Sequence, residues 1–297
     1  MIDSAEEIDR LSVLVAQGRP RPKVLIRVTP GIEAHTHDYI ATGQADSKFG
    51  FGLHSGAARD AVDRLLGTSK DAGELVGLHM HIGSQIFVAG SFARAVEAMT
   101  SFVLLCALPE LCIGGGMGVA YVAGESTEGI PAWGDRVHAA IAAAGVRVTV
   151  SAEPGRAIVA SAAVTLYTVG TLKHIPGIRT FCAVDGGMID NPRPALYGSD
   201  YETFLPRAVM ASRTKRVRVV GKHCESGDVL VRDAAVPADI KVGDILATPV
   251  TGAYGHSMGS NYNRLGRPAV VFVSNGRSRL VVRRETYEDL LATDCEI

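Results

Sequence analysis

The segment VVGKHCESGD (219–228) brings together side chains that can attack, bind a metal or transfer a proton. Cys224 lies between His223 and Glu225, and glycines flank these residues at positions 221 and 227. A thiolate is a nucleophile and a metal ligand, whereas a protonated thiol can return a proton. The segment alone does not distinguish between these roles, so the other motifs of the chain are needed to choose among them.

Four apolar segments in the first half of the chain end in polar residues or glycines. These ends are residues 27–31, 79–84, 114–116 and 153–156. In a (β/α)8 barrel the chemistry lies at the carboxyl ends of the strands. The four ends therefore predict part of the rim of a barrel active site.

Two of these ends have the residue types of an anion site. The glycines of IGGGMG (113–118) let backbone N–H groups approach a phosphate, although a tight structural turn explains them equally well. Glu153, Gly155 and Arg156 end the next strand. Arg156 suits a phosphate or carboxylate, and Glu153 can keep a heteroaromatic nitrogen protonated. An ordinary Glu–Arg surface pair is the alternative.

His79 and His81 are two residues apart in GLHMHIGSQ (77–85) and share one face of a predicted strand. A pair of metal ligands is therefore conceivable. The later strand ends supply no further histidine, so we predict no metal and favour an imidazole stacked on a flat cofactor. For His79, a packed and hydrogen-bonded histidine explains the pattern at least as well.

The second half has two loops with residues suited to a substrate. Arg193 in NPRPALYG (191–198) can clamp a carboxylate through two hydrogen bonds. Glycines around Tyr254 in GAYGHSMGSNYN (252–263) favour close approach to a ligand, and ordinary solvent-exposed loops are the alternative. Lys48 follows a strand in a loop, so we do not expect it to be a Schiff-base lysine.

Two patterns of secondary structure follow one another along the chain. The first alternates helices, predicted over 4–16, 57–66, 91–105 and 133–144, with strands, predicted over 24–28, 75–84, 110–116 and 146–155. Such alternation predicts parallel βα units. The second is rich in strands and contains a hairpin signal at Asn275-Gly276. We therefore expect an α/β fold plus a β fold, with a partial (β/α)8 barrel over 1–160 and a mostly β domain over 161–297.

Composition limits the possible partners. The 297 residues are 47% hydrophobic, which is enough for one large domain or two, and the net charge of -1 offers no footprint for nucleic acid or an anionic membrane. No segment reaches the ~20 apolar residues of a membrane span, and the acidic N-terminus is unlike a signal peptide. The five cysteines lack C-x-x-C pairing, which fits reduced thiols. We predict a cytoplasmic protein that acts on small molecules.

Taken together, the motifs resemble the diaminopimelate decarboxylase family, which belongs to the pyridoxal-phosphate decarboxylases of the alanine-racemase-like barrel class. The similarity extends from about Asp3 to near the C-terminus. The motifs, in the family's order, are HTHDYIATGQADSKFGF (35–51), GLHMHIGSQ, IGGGMG, EPGRA, VDGGMIDNPRPALYG, GKHCESGD and GAYGHSMGSNYNRLGRP.

The resemblance implies decarboxylation of meso-diaminopimelate to L-lysine, a step of lysine biosynthesis, with pyridoxal 5′-phosphate as cofactor and a head-to-tail homodimer with shared active sites. The residues it assigns to the cofactor are His81, Ser84, Gly116, Glu153, Gly155, Arg156 and Tyr254. Those it assigns to the substrate are Arg156, Arg193, Tyr197, Glu225 and Tyr254. Cys224 matches the family's proton donor, delivered from the neighbouring subunit. A thiol with an ordinary pKa of ~8.5 is mostly protonated at neutral pH and can donate.

One family feature has no counterpart here. The Schiff-base lysine of the family lies in a Tyr-Ala-x-Lys-Ala-like motif on the first barrel strand, and these 297 residues contain no such motif. We therefore expect an N-terminally truncated form, the C-terminal half of a (β/α)8 barrel followed by the β domain, with slow or no turnover. The alternatives are a non-catalytic pyridoxal-phosphate-binding fragment, a decarboxylase of the ornithine or arginine type, and, more remotely, a metal-dependent barrel hydrolase.

Overall fold

The structure, a computed structural model, describes residues 1–32, 43, 46–68 and 71–295. The chain divides into two units, one within residues 1–120 and 126–158 and the other within residues 121–125 and 159–297. Most of the family-like segment 35–51 lies outside the described residues.

The first unit alternates helices and strands in the predicted order. Its elements are α1 (Ala5–Ala16), β1 (Lys23–Thr29), β2 (Phe51–Gly52), α2 (Ala57–Gly67), β3 (Glu74–His79), α3 (Gly90–Cys106), β4 (Glu110–Cys112), α4 (Gly129–Ala143), β5 (Thr149–Ser151) and α5 (Gly155–Val159). The strands form one parallel sheet in the order β2-β1-β3-β4-β5. Because the strands are parallel, their carboxyl ends share one edge of the sheet.

Local sequence explains how these elements begin and pack. Ser4 caps α1 in a capping box with Glu7, as the spacing predicts. The central strands carry most of the buried apolar residues of the sheet, and Ile26 and Leu78 are among the fully buried side chains. Helices α3 and α4 meet through the edge-to-face rings of Phe92 and Trp133, whose centroids are 5.4 Å apart.

Three strands end earlier than predicted. The predicted strands 75–84, 110–116 and 146–155 end at His79, Cys112 and Ser151, and the last one also begins late, at Thr149. The chain then leaves the sheet through residues that extended strands do not use: Gly114 has φ 68° and Gly116 has φ 99°. The polar residues predicted on strand tips therefore lie in loops just beyond the sheet.

The second unit is mostly β. Its elements are β6 (Val164–Ile175), β7 (Arg179–Val184), α6 (Arg193–Tyr197), β8 (Lys215–Val220), β9 (Val229–Val236), β10 (Ile245–Pro249), α7 (Gly255–Met258), β11 (Val270–Ser274), β12 (Arg277–Val282) and α8 (Tyr287–Leu291). Short 3₁₀ turns lie at Ala160–Ala162, Pro206–Ala208 and Tyr262–Arg264. Strands β10-β6-β7-β8-β9 form one mixed sheet. Strands β11 and β12 pair as a separate hairpin.

The hairpin turns at the predicted residues, with Asn275 at φ 50° and Gly276 at φ 70°, the left-handed pair that two-residue hairpin loops require. Parallel βα units followed by a mostly β unit confirm the predicted fold class. Within the described ranges, no helix combines the length and the apolar composition needed to cross a membrane.

Candidate active site

His79 and Glu153 pair at the carboxyl edge of the parallel sheet. His79 ends β3 with only 2% of its surface exposed, and its Nε2 lies 3.1 Å from Oε2 of Glu153, in the loop after β5. Burial lowers the pKa of His79, and the hydrogen bond to Glu153 partly offsets this shift. A neutral ring donates its Nε2 proton to the carboxylate. The packed, hydrogen-bonded histidine considered from the sequence is confirmed, and it holds Glu153, whose side chain is 55% exposed.

His81 is held in a neutral state of defined orientation. Its Nδ1 accepts a hydrogen bond from the backbone N–H of Gly115, 3.1 Å away. Burial, and secondly the charge of Arg27, lower the pKa of His81 to about 4. The proton of the neutral ring is therefore on Nε2. A half-buried, uncharged imidazole is suited to face a flat cofactor.

The glycine triplet 114–116 has no space for side chains. A Cβ on Gly114 would lie 2.3 Å from the Met80 carbonyl oxygen, and one on Gly115 would lie 2.1 Å from that of Glu153. For Gly116 the distance to the Gly83 carbonyl oxygen would be 1.8 Å. The triplet thus joins the ends of β3, β4 and β5, which supports the structural explanation of the glycines and leaves room for the phosphate explanation.

Arg156 lies in the first turn of α5, which starts at Gly155. Its side chain is buried, with 6% exposed. The alternative of an ordinary surface pair is therefore wrong for this arginine. Ser84 is half-buried and follows Gly83 directly, in the loop after β3.

One cluster at this edge has ligand types that can bind a metal ion. His79, Glu153 and Cys112 each place a ligand atom within 4.8 Å of the others. The sequence predicted a possible metal pair of His79 and His81 and no further histidine ligand; Cys112, which ends β4 at the same edge, was not among the predicted candidates. Burial raises the pKa of the Cys112 thiol, which favours the protonated form over the thiolate that binds metals. The absence of a resident metal stays a prediction.

In the second unit, a buried carboxylate anchors the loop that carries Cys224. Asp228 accepts hydrogen bonds from the backbone N–H of His223 at 3.0 Å and from that of Met188 at 2.8 Å. Nδ1 of His223 lies 2.7 Å from the same carboxylate, and both side chains are inaccessible to solvent. A Cβ on Gly221 would lie 2.1 Å from Asp228, so the first glycine of the motif is needed to admit this carboxylate.

Cys224 and Glu225 project from this loop and are exposed. The hydroxyl of Tyr262 donates to Oε1 of Glu225 at 2.5 Å, which raises the pKa of the tyrosine. Nδ2 of Asn263 lies 3.7 Å from Sγ of Cys224. The sequence predicted neither partner, although both lie within the quoted motif GAYGHSMGSNYN.

Arg193 is buried, with 4% exposed, although the sequence admitted an exposed loop. It begins the short helix α6 and donates from Nη2 to Oγ of Ser199 at 3.1 Å. Its guanidinium carbon lies 4.9 Å from the ring centroid of Tyr121 and 5.5 Å from that of Tyr197. Nε of Arg193 has no hydrogen-bond partner among the described residues. A buried donor of this kind is available to a ligand carboxylate.

Tyr254 lies in the second unit, at the start of α7, with φ 65° and half of its surface exposed. The predicted site residues are therefore divided between the two units. Except for Tyr254, the residues assigned to the cofactor lie in the first unit. Cys224, Glu225, Arg193 and Tyr197 lie in the second.

Comparison with known proteins decides the family. The model of the pyridoxal binding domain of the pyridoxal-dependent decarboxylases matches residues 1–160. The chain is 44% identical to the diaminopimelate decarboxylase of Bacillus subtilis over 309 residues, which cover 99% of this chain and 69% of that protein. The chain belongs to the diaminopimelate decarboxylase family.

Two further members of the family are also similar to this chain over nearly its whole length. The diaminopimelate decarboxylase of Synechocystis is 45% identical, and the match covers 99% of this chain and 64% of that protein. The crystal structure of diaminopimelate decarboxylase from M. jannaschii in complex with L-lysine matches with a TM-score of 0.90 at 30% identity, over all of this chain and 69% of that one. The chain thus spans about two thirds of the length of its relatives.

The residues of the first unit fit pyridoxal 5′-phosphate, the cofactor of this family. Glu153 is a half-exposed carboxylate held from behind by His79, as the nitrogen of a pyridine ring requires. His81 supplies a neutral aromatic face. Arg156 and the backbone of the glycine triplet supply donors suited to a phosphate.

Proposed function

We propose that this chain decarboxylates meso-diaminopimelate to L-lysine, as a step of lysine biosynthesis. The observation that carries the proposal is membership of the diaminopimelate decarboxylase family over 99% of the chain. The first unit supplies the cofactor site and the second unit the residues for the substrate and the proton. This division also underlies our assignment of two domains, with a boundary near residue 160.

In the first unit, the protein's task is to hold the ring of the cofactor in its reactive state. Pyridoxal phosphate, when bound, accepts the electron pair left as carbon dioxide departs. Glu153 would accept a hydrogen bond from the ring nitrogen of the cofactor and so favour the protonated form of that nitrogen. His81 offers its uncharged face to the ring, so that it adds no positive charge to the site.

Phosphate binding fixes the position of the reacting bond. Ser84, Gly116, Gly155 and Arg156 would hold the phosphate through a hydroxyl, backbone N–H groups and a guanidinium. A fixed phosphate orients the attached ring and reduces the entropy that has to be lost in the reaction. The burial of Arg156 strengthens its electrostatic contribution, because less water screens it.

The second unit supplies groups that match an amino acid with two charged ends. The Nε of Arg193 has no hydrogen-bond partner among the described residues and lies beside Tyr197, which supports the assignment of both to a substrate carboxylate. Arg156 is also assigned to the substrate. Glu225 is suited to the ammonium group, and Tyr262 holds its carboxylate. Tyr254 is assigned to both cofactor and substrate.

Cys224 is assigned the proton that replaces the lost carboxyl group. Its thiol is exposed, so it can reach a carbon atom outside its own loop. As the proton leaves, the S–H bond breaks, a C–H bond forms and the sulfur keeps the electron pair. A proton from water then restores the thiol.

We further propose that Cys224 serves the active site of a second copy, in a head-to-tail homodimer. The exposed apolar side chains of the hairpin β11–β12, Val271, Phe272, Val273 and Leu280, support association. The free state of all five cysteines supports a cytoplasmic location.

The test is a substrate panel with purified chain and added pyridoxal phosphate. We expect slow release of carbon dioxide and L-lysine from meso-diaminopimelate, because these 297 residues contain no counterpart of the family's Schiff-base lysine motif. Still less product should form from ornithine, arginine or a carboxylated polyamine. An absorbance scan measures cofactor binding in parallel. Binding without turnover on any substrate would contradict the proposal and favour a non-catalytic pyridoxal-phosphate-binding chain, whereas preference for ornithine or arginine would favour the related decarboxylases.

A further inference from the structure

We propose that Asn263 is the positioning residue of Cys224, so that a second loop prepares the thiol for proton transfer. The inference rests on the proposed function, in which Cys224 returns the proton to carbon. It deepens that function by assigning a role to a residue outside the predicted site.

The first support is the contact itself. Nδ2 of Asn263 lies 3.7 Å from Sγ of Cys224, within hydrogen-bonding distance for sulfur. Cys224 is exposed and its side chain has several rotamers of similar energy unless a contact selects one. An amide that donates to the sulfur selects a rotamer and favours the thiolate that proton transfer leaves behind.

The second support is that the neighbouring residues pair in the same way. Tyr262 donates to Glu225, so two consecutive residues of one loop bind two consecutive residues of the other. The ring of Tyr262 also stacks on that of His223, with centroids 5.7 Å apart and planes 14° apart. These three adjacent contacts fix how the Cys224 loop and the Tyr262–Asn263 loop align with each other. The contact of Asn263 alone would not fix this alignment.

The third support is the backbone at Asn263, which is left-handed, with φ 56° and ψ 25°. Asparagine, aspartate and glycine adopt this conformation more readily than other residues. The next residue, Arg264, is also left-handed and is held by a two-oxygen ion pair with Asp294. The ion pair of Arg264 therefore stabilises the backbone conformation that directs the Asn263 amide toward the sulfur of Cys224.

The loop opposite is equally constrained. Asp228 binds the backbone and the ring of His223, the residue before Cys224. The exposed side chain of Cys224 follows this fixed residue, and Asn263 is its hydrogen-bond donor. The expected consequence is a thiolate fraction that depends on the chemistry of residue 263.

The experiment measures the alkylation of Cys224 directly and needs no turnover. Full-length wild type, Asn263→Gly and Asn263→Asp are treated with iodoacetamide from pH 6.5 to pH 10.5, and the Cys224 peptide is quantified by mass spectrometry. Both variants tolerate the left-handed backbone. At pH 7.5 we expect alkylation to slow by about 3-fold without the amide and by about 10-fold with the carboxylate, which disfavours an adjacent thiolate.

The pH profile separates this role from a merely structural one. The rates of the three proteins should converge at high pH, where the thiol is fully ionised in each. A change in access alone would alter the rate by the same factor at every pH. Equal rates at pH 7.5, or differences that persist at pH 10.5, would overturn the inference.

Asn275 provides the matched control, because it is also left-handed, with φ 50°, and lies in the β11–β12 turn. Asn275→Gly and Asn275→Asp should leave Cys224 alkylation unchanged, and exposed Cys295 serves as the reference thiol in every sample. If the expected order holds while meso-diaminopimelate is not decarboxylated, the pairing stands and the proposed function fails. If decarboxylation occurs but the order is absent, the inference about Asn263 alone fails.

Discussion

Asp190 is the carboxyl group whose surroundings disfavour its charge most among the described residues. Burial raises its pKa to about 6, although hydrogen bonds from the hydroxyl of Tyr167 and the backbone of Gly187 oppose the shift. Gly186 makes this contact possible, since a Cβ there would lie 2.3 Å from the Tyr167 ring. The glycines of VDGGMID thus make room for a half-buried acid near the Asp228 anchor.

Stability should therefore rise as the pH falls through 6. The folded state binds this proton more tightly than the unfolded chain, whose carboxyl has the ordinary value of 3.8. The stabilisation is complete below about pH 3.8 and is lost as the pH rises through about 6. For Asp190→Asn we expect this component, roughly 3 kcal/mol for a pKa difference of about 2 between the folded and unfolded states, to vanish from the pH dependence of unfolding. Urea unfolding of the wild type and of Asp190→Asn at pH 4.5, 5.5 and 7 measures the free energy of unfolding at each pH. The same pH dependence in both proteins would contradict the prediction.

Removal of the Cys224 thiol should slow proton return rather than binding. For Cys224→Ala we expect kcat for meso-diaminopimelate to fall on the order of 100-fold with KM little changed, as for loss of a general acid. Cys295→Ala removes another exposed thiol and should leave kcat unchanged. Steady-state kinetics of the two variants provide the comparison, and a Cys224→Ala enzyme of normal kcat would exclude the thiol as donor.

At the scale of elements, the glycine triplet connects three strand ends through backbone contacts alone. Each glycine faces a carbonyl oxygen at a distance that no Cβ can occupy. The loop that carries Glu153 is therefore positioned by the loop that carries the triplet, and an added methyl group should disturb the cofactor site and the fold together.

A pair of glycine substitutions tests this. In Gly115→Ala the new Cβ meets the Glu153 carbonyl oxygen at 2.1 Å, and we expect a loss of roughly 1–3 kcal/mol of unfolding free energy together with weaker binding of pyridoxal phosphate. Gly134 lies within α4 with no atom within 4 Å of an added Cβ, so Gly134→Ala should stabilise the chain by roughly 0.5–1 kcal/mol. Thermal unfolding of both variants measures the change in stability, and titration with pyridoxal phosphate measures the change in cofactor binding. Equal destabilisation would contradict the explanation.

The sequence predicted the elements better than their ends. Parallel strands are apolar on both faces, so Ile82 and Ile113 look like strand residues although they lie beyond the ladder and remain buried. Site residues of distinctive type, such as Arg156 and Cys224, could be selected from motifs. Partners such as Asn263 and Cys112 could not, because their roles depend on contacts between distant parts of the chain.

At the scale of the whole molecule, the hairpin β11–β12 is the least covered part of the second unit. Every residue of β12 is exposed, as are the last four of β11, and 74% of Val273 is accessible. An isolated two-stranded sheet is only marginally stable in water. A second copy that covers this surface would stabilise the hairpin, in keeping with the proposed homodimer.

Charge on this surface should weaken association without unfolding the chain. For Val273→Glu we expect the dimer dissociation constant to rise at least about 10-fold, because a carboxylate is poorly tolerated in an apolar interface. Met210→Glu is the control, since Met210 is 95% exposed and lies outside the hairpin. Sedimentation velocity over a concentration series measures both, and an unchanged Val273→Glu dimer would place the interface elsewhere.

The Asp228 carboxylate has a further consequence for how the second unit opens. It binds backbone N–H groups of two loops at once, and the one at Met188 lies 40 residues away in sequence. Neither loop can unfold locally without releasing this shared acceptor, so the two should open as one cooperative unit. In native-state hydrogen exchange, the amides of Met188 and His223 should have the same opening free energy, and Asp228→Asn should lower both together.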